Sequence, residues 1–471
     1  MKASNVRIKS MEIVNFKNVE YGKLDFDNKR KPYKSSVLGL YGQNGSGKTA
    51  LIDALYLLDL ALSGQKIPVK FADFINVGAG YAALKFNFSI VDDVIDSEYN
   101  VAYEFSLRKD IDELAQNAEH NFSDVDVKYK AVIFNEVISS SYKDTKTKTR
   151  VSTVVDTRTN DVFVPKNKYN VLVGKSEDVR IDLLSTKKLT AATSRSFVFS
   201  MEFLKVLRKN CKEKCYVNLF NRLSAFGKYE LFVINTDNAG LISMNLLPLS
   251  FAYDDGKTST IGRFPLKLSG STLIPKDSFK VVEKVIESMN VVLTQLVPGL
   301  SIGIKDLGTE LLRNGKTGAR IQLVSYKNSE EIPLKYESEG IKKLISILHL
   351  LIVVYNNPSV TVAVDELDSG VFEYLLGELL KIISEQGKGQ LIFTSHNLRP
   401  LETIDKGFVA FTTTNPNNRY IRFSNVKTNN NLRDFYYRDI VLGEQNECVY
   451  ELTNNSEIAL AFREAGEISG T

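Results

Sequence analysis

The chain has no tryptophan, only three cysteines, three histidines and five methionines in 471 residues. Each shortage closes something off. Cys211 and Cys215 lie four apart, Cys448 is remote, and His120, His349 and His396 are scattered. A structural zinc site takes about four ligands at short spacings, and none can be assembled from these; the thiols read as free cysteines of a reducing compartment. Without tryptophan, any base stacking falls to Tyr, Phe or an Arg plane. No run of 18 apolar residues occurs, so no helical membrane span and no membrane partner is expected. The N-terminal residues carry no signal-peptide core, which makes the cytoplasm the expected location. The net charge of +4, from 60 basic and 56 acidic residues, is too small to argue by itself for nucleic acid.

What is present begins with Gly42-Gln43-Asn44-Gly45-Ser46-Gly47-Lys48-Thr49. It follows the apolar run Val37-Leu38-Gly39-Leu40-Tyr41 and opens into Thr49-Ala50-Leu51-Ile52-Asp53-Ala54-Leu55. Strand, glycine-rich loop and helix in that order are the context a phosphate-binding loop requires. Gly42, Gly45 and Gly47 let the backbone curl, so that the N–H groups of the loop, Asn44 and Ser46 included, turn toward a phosphate. Lys48 is placed to reach the β- and γ-phosphates, and the Thr49 hydroxyl to ligate Mg2+. The positive end of the following helix adds to the same anion site. The motif predicts a nucleoside triphosphate ligand.

Around that loop, two short strands are expected between Val6 and Phe26, in one sheet with 37–41. A helix is expected over 48–63, ended by Gly64. Strand-like alternation returns at Ala82–Ile90 and Tyr99–Leu107. Between 110 and 190, short β-like runs alternate with polar stretches, and 139–150 reads as a mobile hairpin tip or loop. Residues 128–188 hold 13 Lys/Arg against 7 Asp/Glu, a local excess of +6, which fits a solvated face or a surface for nucleic acid or an acidic partner. Residues 196–226 look helical, a helix runs from about Asp277 to Leu296, and strands follow at Ser301–Ile304, Glu310–Arg313 and Ala319–Tyr326. From Ser338 on, apolar strands (Val360–Val364, Gln390–Thr394) alternate with helices (338–355, 372–386), the signature of a parallel sheet covered on both faces. No heptad pattern is sustained, so no long coiled coil is expected.

Chemistry gathers at the strand ends. Thr361-Val362-Ala363-Val364 ends in Asp365-Glu366, and at the C-terminal edge of a parallel sheet those acids sit beside the phosphate loop. Asp365 would hold Mg2+, and Glu366 would orient and deprotonate the attacking water. Thr394-Ser395-His396-Asn397 closes the next strand, where His396 can bond the γ-phosphate or the water. Ser338 starts an apolar helix. It can serve as a simple N-cap and, compatibly with that, can form with the neighbouring N–H groups an anion site for a γ-phosphate held by a second subunit.

Together these elements resemble the ABC-type P-loop ATPases of the SMC, RecF and OLD branch. The resemblance rests on the phosphate loop, a Ser-x-Gly signature at Ser338 and Gly340, Asp365-Glu366, and Ser395-His396. It also takes in Asn15-Phe16-Lys17-Asn18 and Asp365-Glu366-Leu367-Asp368-Ser369-Gly370, and it covers roughly 1–90 and 275–425. It implies ATP and Mg2+, hydrolysis to ADP and phosphate, and a homodimer or higher homo-oligomer in which Ser338 and Gly340 complete the partner's site. Asp368 would match an acid touching the opposing subunit. The implied architecture is α/β: an ATPase head with mixed and parallel sheet, its lobes at 1–90 and 276–425, an α+β insertion at 91–275 and a tail at 426–471. No glutamine is assigned to the family's Q-loop, since Gln65 lies too near the first helix and Gln116 in a polar stretch. The signature reads Ser-Glu-Gly rather than Ser-Gly-Gly, and both the SMC coiled coil and the OLD nuclease domain are missing. What remains resembles compact ATPases of bacterial phage-defence operons, which work with a separately encoded effector, a nuclease or toxin. The tail segments 431–437 and 461–466 look like theirs too. RecF-like DNA maintenance is the alternative, with DNA as a further candidate partner. The basic insertion around 139–188 and Phe435-Tyr436-Tyr437 stand out as partner surfaces.

Overall fold

A computed structural model describes residues 4–26, 36–92, 96–112, 128–235, 246–254, 259–312, 315–327, 330–424 and 431–469. Gln116, His120 and Arg313 lie outside them.

In chain order, β1 (Ser4–Phe16) and β2 (Val19–Asp25) form a hairpin, and β3 (Ser36–Tyr41) delivers the glycine-rich loop into α1 (Lys48–Ser63). Next come β4 (Ala82–Asp92), β5 (Ser97–Ile111), β6 (Tyr129–Lys143) and β7 (Ser152–Asp156). Four helices follow: α2 (Lys166–Leu172), α3 (Glu177–Ala192), α4 (Met201–Asn210) and α5 (Lys214–Ala225). After the short β8 (Leu231–Ile234) a hairpin, β9 (Leu246–Asp254) and β10 (Ser259–Lys267), precedes β11 (Ser271–Pro275). The helix α6 (Phe279–Leu296) leads to β12 (Leu300–Leu311), β13 (Thr317–Lys327) and β14 (Glu330–Pro333). The last third runs α7 (Glu339–Asn356), β15 (Thr361–Val364), α8 (Glu373–Gln386), β16 (Gln390–Thr394), β17 (Val409–Thr412) and β18 (Tyr420–Ile421). It ends in α9 (Leu432–Leu442) and α10 (Asn455–Ser469).

The phosphate loop leaves the middle of a six-stranded mixed sheet, ordered β18-β17-β3-β16-β15-β8, in which all but β18 run parallel. Alternation along its strands divides two cores. Leu38, Leu40, Ala363 and Ile392 face one side, where they meet α1 and the antiparallel sheet β2-β1-β4-β5-β6-β7. Val37, Tyr41, Val362, Val364, Leu391 and Phe393 face the other, against α6 to α9. Sandwiched between two sheets, α1 is buried on nearly every face, which its almost continuous apolar sequence anticipates. The fold is therefore α/β, with mixed and antiparallel sheets. The longest helices among the described residues have 18 residues, and no long coiled coil extends from them. No described helix is long and apolar enough to cross a membrane.

Several local expectations change. The strands β1 and β2 do not join β3; they belong to the antiparallel sheet, because their alternating apolar face packs on α1 from the opposite side. Residues 139–143 are strand rather than loop, with Ser140 buried against β7, and only the tip beyond Lys143 turns. The stretch 196–226 is two helices broken at 211–213. The strands expected at 301–304 and from 310 are one strand with a bulge near Asp306. The boundary expected at 90/91 falls inside β4, which pairs with β5 along its length, and β8 extends the parallel sheet from within 91–275. Phe435 and Tyr436 are not a partner surface: they are buried, with Tyr436 stacked on Phe411 at 4.9 Å and Phe435 against Phe423 at 5.7 Å.

Candidate functional site

The loop after β3 is held in shape from below. Gly42 sits at φ 151°, and a Cβ there would fall 1.8 Å from Thr412 Oγ1, so no side chain fits. Ser46 turns inward, donating to Gln43 O at 2.5 Å and meeting Thr412 Oγ1 at 2.5 Å. Tyr420 donates its hydroxyl to Gly47 O at 2.9 Å, and Arg419 donates to Thr413 O at 2.6 Å and Asn18 O at 2.7 Å. The Asn18 amide in turn reaches Gly45 O. From the tail, the Glu451 N–H donates to Gln43 Oε1 at 3.0 Å. A glycine-rich loop thus braced keeps the N-terminal N–H groups of α1 pointed outward, where they and the helix dipole favour an anion.

Above the loop lies a cavity of about 330 Å3 lined by Lys17, Asn18, Asn44, Gly45, Gly47, Lys48, Thr49, Ala50, Asp365, Glu366, Thr394 and His396. Of the residues singled out in the sequence, Asn44, Gly45, Gly47, Lys48, Thr49, Asp365, Glu366 and His396 converge here. Gly42 and Ser46 support the loop from beneath, and Ser338 and Gly340 stand outside the cavity. Ser338 is exposed and caps α7 by accepting the Ile341 N–H at 3.3 Å.

Lys48 donates to Gly42 O at 2.8 Å and Gln43 O at 2.9 Å. Burial pushes its ammonium pKa down, while Asp365, Glu366 and Asp368 push it back up. Asp365 is 1% exposed and accepts the Thr394 hydroxyl at 2.5 Å; the same oxygen of Thr394 accepts the Glu366 N–H at 2.8 Å. Glu366 itself is held at φ 49°, a left-handed conformation that a non-glycine residue adopts at some cost. Strain at a carboxylate facing the cavity is the kind of feature that functional sites retain. The Asp368 carboxylate accepts the N–H groups of His396 at 3.1 Å and Asn397 at 2.9 Å, fixing the loop that carries the histidine.

Four contributors carry no local signal of their role in the sequence. Thr394 ties Asp365 to Glu366, but a threonine in a strand carries no local signal. Lys17, noticed only as part of a segment, pairs with the buried Asp53 of α1, which also accepts from Asn235 Nδ2 at 2.9 Å. Arg419 and Tyr420 brace the loop from nearly 400 residues away in sequence.

The residues fit a metal-bound triphosphate. Thr49 and Asp365 are hard oxygen donors beside an anion-binding helix end, as Mg2+ requires. No group of three or more His, Cys, Asp or Glu side chains able to hold a metal by themselves occurs among the described residues.

A family model described as an AAA ATPase domain matches residues 7–399. The DNA replication and repair protein RecF of Deinococcus radiodurans is 35% identical over 74 residues, 16% of this chain and only 18% of that protein. Among solved structures, an SMC head bound to the C-winged helix domain of ScpA covers 89% of this chain, and 98% of its own length matches, at 14% identity and a TM-score of 0.42. An SMC head domain from Thermotoga maritima gives 89% and 99% coverage at 16% identity and a TM-score of 0.36. Superposition at that level adds nothing to the strand order already described.

Proposed function

The chain belongs to the AAA ATPase domain family, and from that premise we propose that it binds ATP with Mg2+ in the cavity above the phosphate loop and hydrolyses it. The observation that carries this is the convergence of Lys48, Thr49, Asp365, Glu366 and His396 on one cavity of about 330 Å3. In this reading Lys48 and the loop N–H groups, with Asn44, take the phosphates. Thr49 and Asp365 hold the metal, whose part is to neutralise charge on the phosphates. Glu366 takes the proton of the attacking water, and His396 bonds the γ-phosphate. Ser338 and Gly340 of a second copy complete the site, in a two-fold pair with two nucleotides.

We further propose that the energy drives a switch rather than a cutting reaction. The chain would act as the ATPase subunit of a bacterial anti-phage system and control a separately encoded effector. A switch works only if its states bind that partner differently. The stretch similar to RecF favours a second reading, a DNA-binding ATPase of repair or maintenance. Stimulation of turnover by duplex DNA supports the second reading; a stable complex with the product of a neighbouring toxic gene supports the first.

The test of the shared core is a pair of variants. Lys48→Ala should abolish ATP binding, since it leaves phosphate charge unmatched. Glu366→Gln should bind ATP but turn over roughly 100-fold more slowly or worse. Turnover by Glu366→Gln within about threefold of wild type removes Glu366 from the chemistry.

A further inference from the structure

Lys343 lies in the second turn of α7, five residues beyond Ser338, and is only 7% exposed. Its burial depresses the ammonium pKa, and Asp368 leads the carboxylates that oppose this, ahead of Glu366 and Asp365. Yet among the described residues nothing hydrogen-bonds or ion-pairs with that ammonium. A charge that loses most of its water and gains no partner is costly, and proteins seldom keep one without a use for it.

Nearby stands its complement. Asp368 spends one carboxylate oxygen on the N–H groups of His396 and Asn397, while its Oδ1 is buried and has no hydrogen-bond partner. The two residues lie on elements that touch. A Cβ on Gly340 would fall 2.6 Å from Gly370 O, and the Cβ position of Gly370 is 3.9 Å from Lys343 Cβ. Gly370 belongs to the turn that Asp368 anchors by accepting the Val371 N–H at 3.1 Å. The contact is backbone against backbone, with no side chain between the two glycines.

We propose that Lys343 and Asp368 are the two halves of an ion pair that closes when nucleotide is bound. Closure fixes the start of α7 against the turn carrying Glu366 and the loop carrying His396. The proposal rests on the ATPase reading above and deepens it. Lys343 is then a positioning residue. It acts through Asp368, whose second oxygen already holds the backbone of His396. Movement of the exposed Ser338 helix start would thereby reach the chemistry on the other side of the sheet edge. Unclosed, the pair leaves a mostly buried cation unpaired and one buried carboxylate oxygen unsatisfied; closed, it pairs the cation and satisfies the oxygen, so the two states differ in energy in the way a switch requires.

The test uses the full chain and Lys343→Met, which keeps the buried methylenes and removes only the charge. Without nucleotide its melting temperature should equal or exceed that of wild type, because an unpaired, mostly buried ammonium is lost. Turnover should fall by about tenfold or more, with KM for ATP within about threefold. Lys343→Arg should recover much of the loss. The double variant with Asp368→Asn should be no slower than the slower single variant, as coupled residues require. A lower melting temperature for Lys343→Met without nucleotide overturns the proposal whatever the turnover, since the lysine would already be engaged. So does turnover within twofold of wild type. A wild-type chain that hydrolyses no ATP defeats the ATPase reading instead.

Discussion

Thr394 offers the sharpest test of how the site is held. It is fully buried, and its one hydroxyl serves both acids: it donates to Asp365 Oδ1 at 2.5 Å and accepts the Glu366 N–H at 2.8 Å. Thr394→Val preserves shape and deletes both bonds. A hydrogen bond to a charged group contributes about 1.5–3 kcal/mol, and an orphaned buried N–H costs about 1–3 kcal/mol. The variant should therefore lose about 4 kcal/mol. With a melting entropy near 2.1 cal/mol/K per residue, a chain of this length melting as one unit gives about 1 kcal/mol/K, hence a drop of about 4 °C. Function should suffer more than stability. The Glu366 backbone is held at φ 49°, a conformation worth about 1–3 kcal/mol of strain that persists only while its surroundings enforce it. Once its N–H is released the turn relaxes, the carboxylate leaves its place over the phosphate loop, and turnover should fall about 100-fold, the scale of a displaced general base. Thr394→Ser keeps both bonds and loses a methyl, so about 1 °C and less than threefold in rate are expected. Scanning calorimetry and phosphate release measure the two quantities. If Thr394→Val melts within 1 °C of wild type and turns over within threefold, the hydroxyl is not what holds these acids.

Two further outcomes follow from residues of α7 and α9, on one face of the parallel sheet. Ser338→Arg, at an exposed helix start, should leave single-chain ATP binding intact while abolishing ATP-dependent pairing and turnover, as read by sedimentation and phosphate release; wild-type hydrolysis would mean the site is completed within one chain. Tyr436→Ala should melt about 3–5 °C lower, because it empties a buried aromatic site against Phe411, whereas an unchanged melting temperature would restore that segment as a surface.

The sequence displayed the residues of the candidate site better than the architecture, and the reason is range. A phosphate loop is eight consecutive residues whose glycines, lysine and threonine act where they stand, so Gly45, Gly47, Lys48 and Thr49 could be read directly, and the cavity contains them. Asp365, Glu366 and His396 were legible because each follows an apolar run, and β15 pairs in parallel with β16 and β16 with β3, which brings the strand ends to one edge. Partnership between strands is a different matter. Nothing in Val6–Phe26 says whether its apolar face covers α1 from the side of β3 or from the opposite side, since both surfaces reward the same alternation. The same limit hid the tail: Phe435 and Tyr436 read as exposed aromatics in a polar stretch, and only the presence of Phe411 and Phe423, brought there by β17 and the chain after β18, makes them core. Thr394, Lys343 and Asp368 mark the deeper limit. Their meaning lies in which single atoms remain bonded or unbonded after two cores have formed around them, a property of the packed chain that no window of residues contains. A site's reactive groups can therefore be legible from local motifs, while the groups that hold and move them become visible only once long-range packing has decided which polar atoms are satisfied.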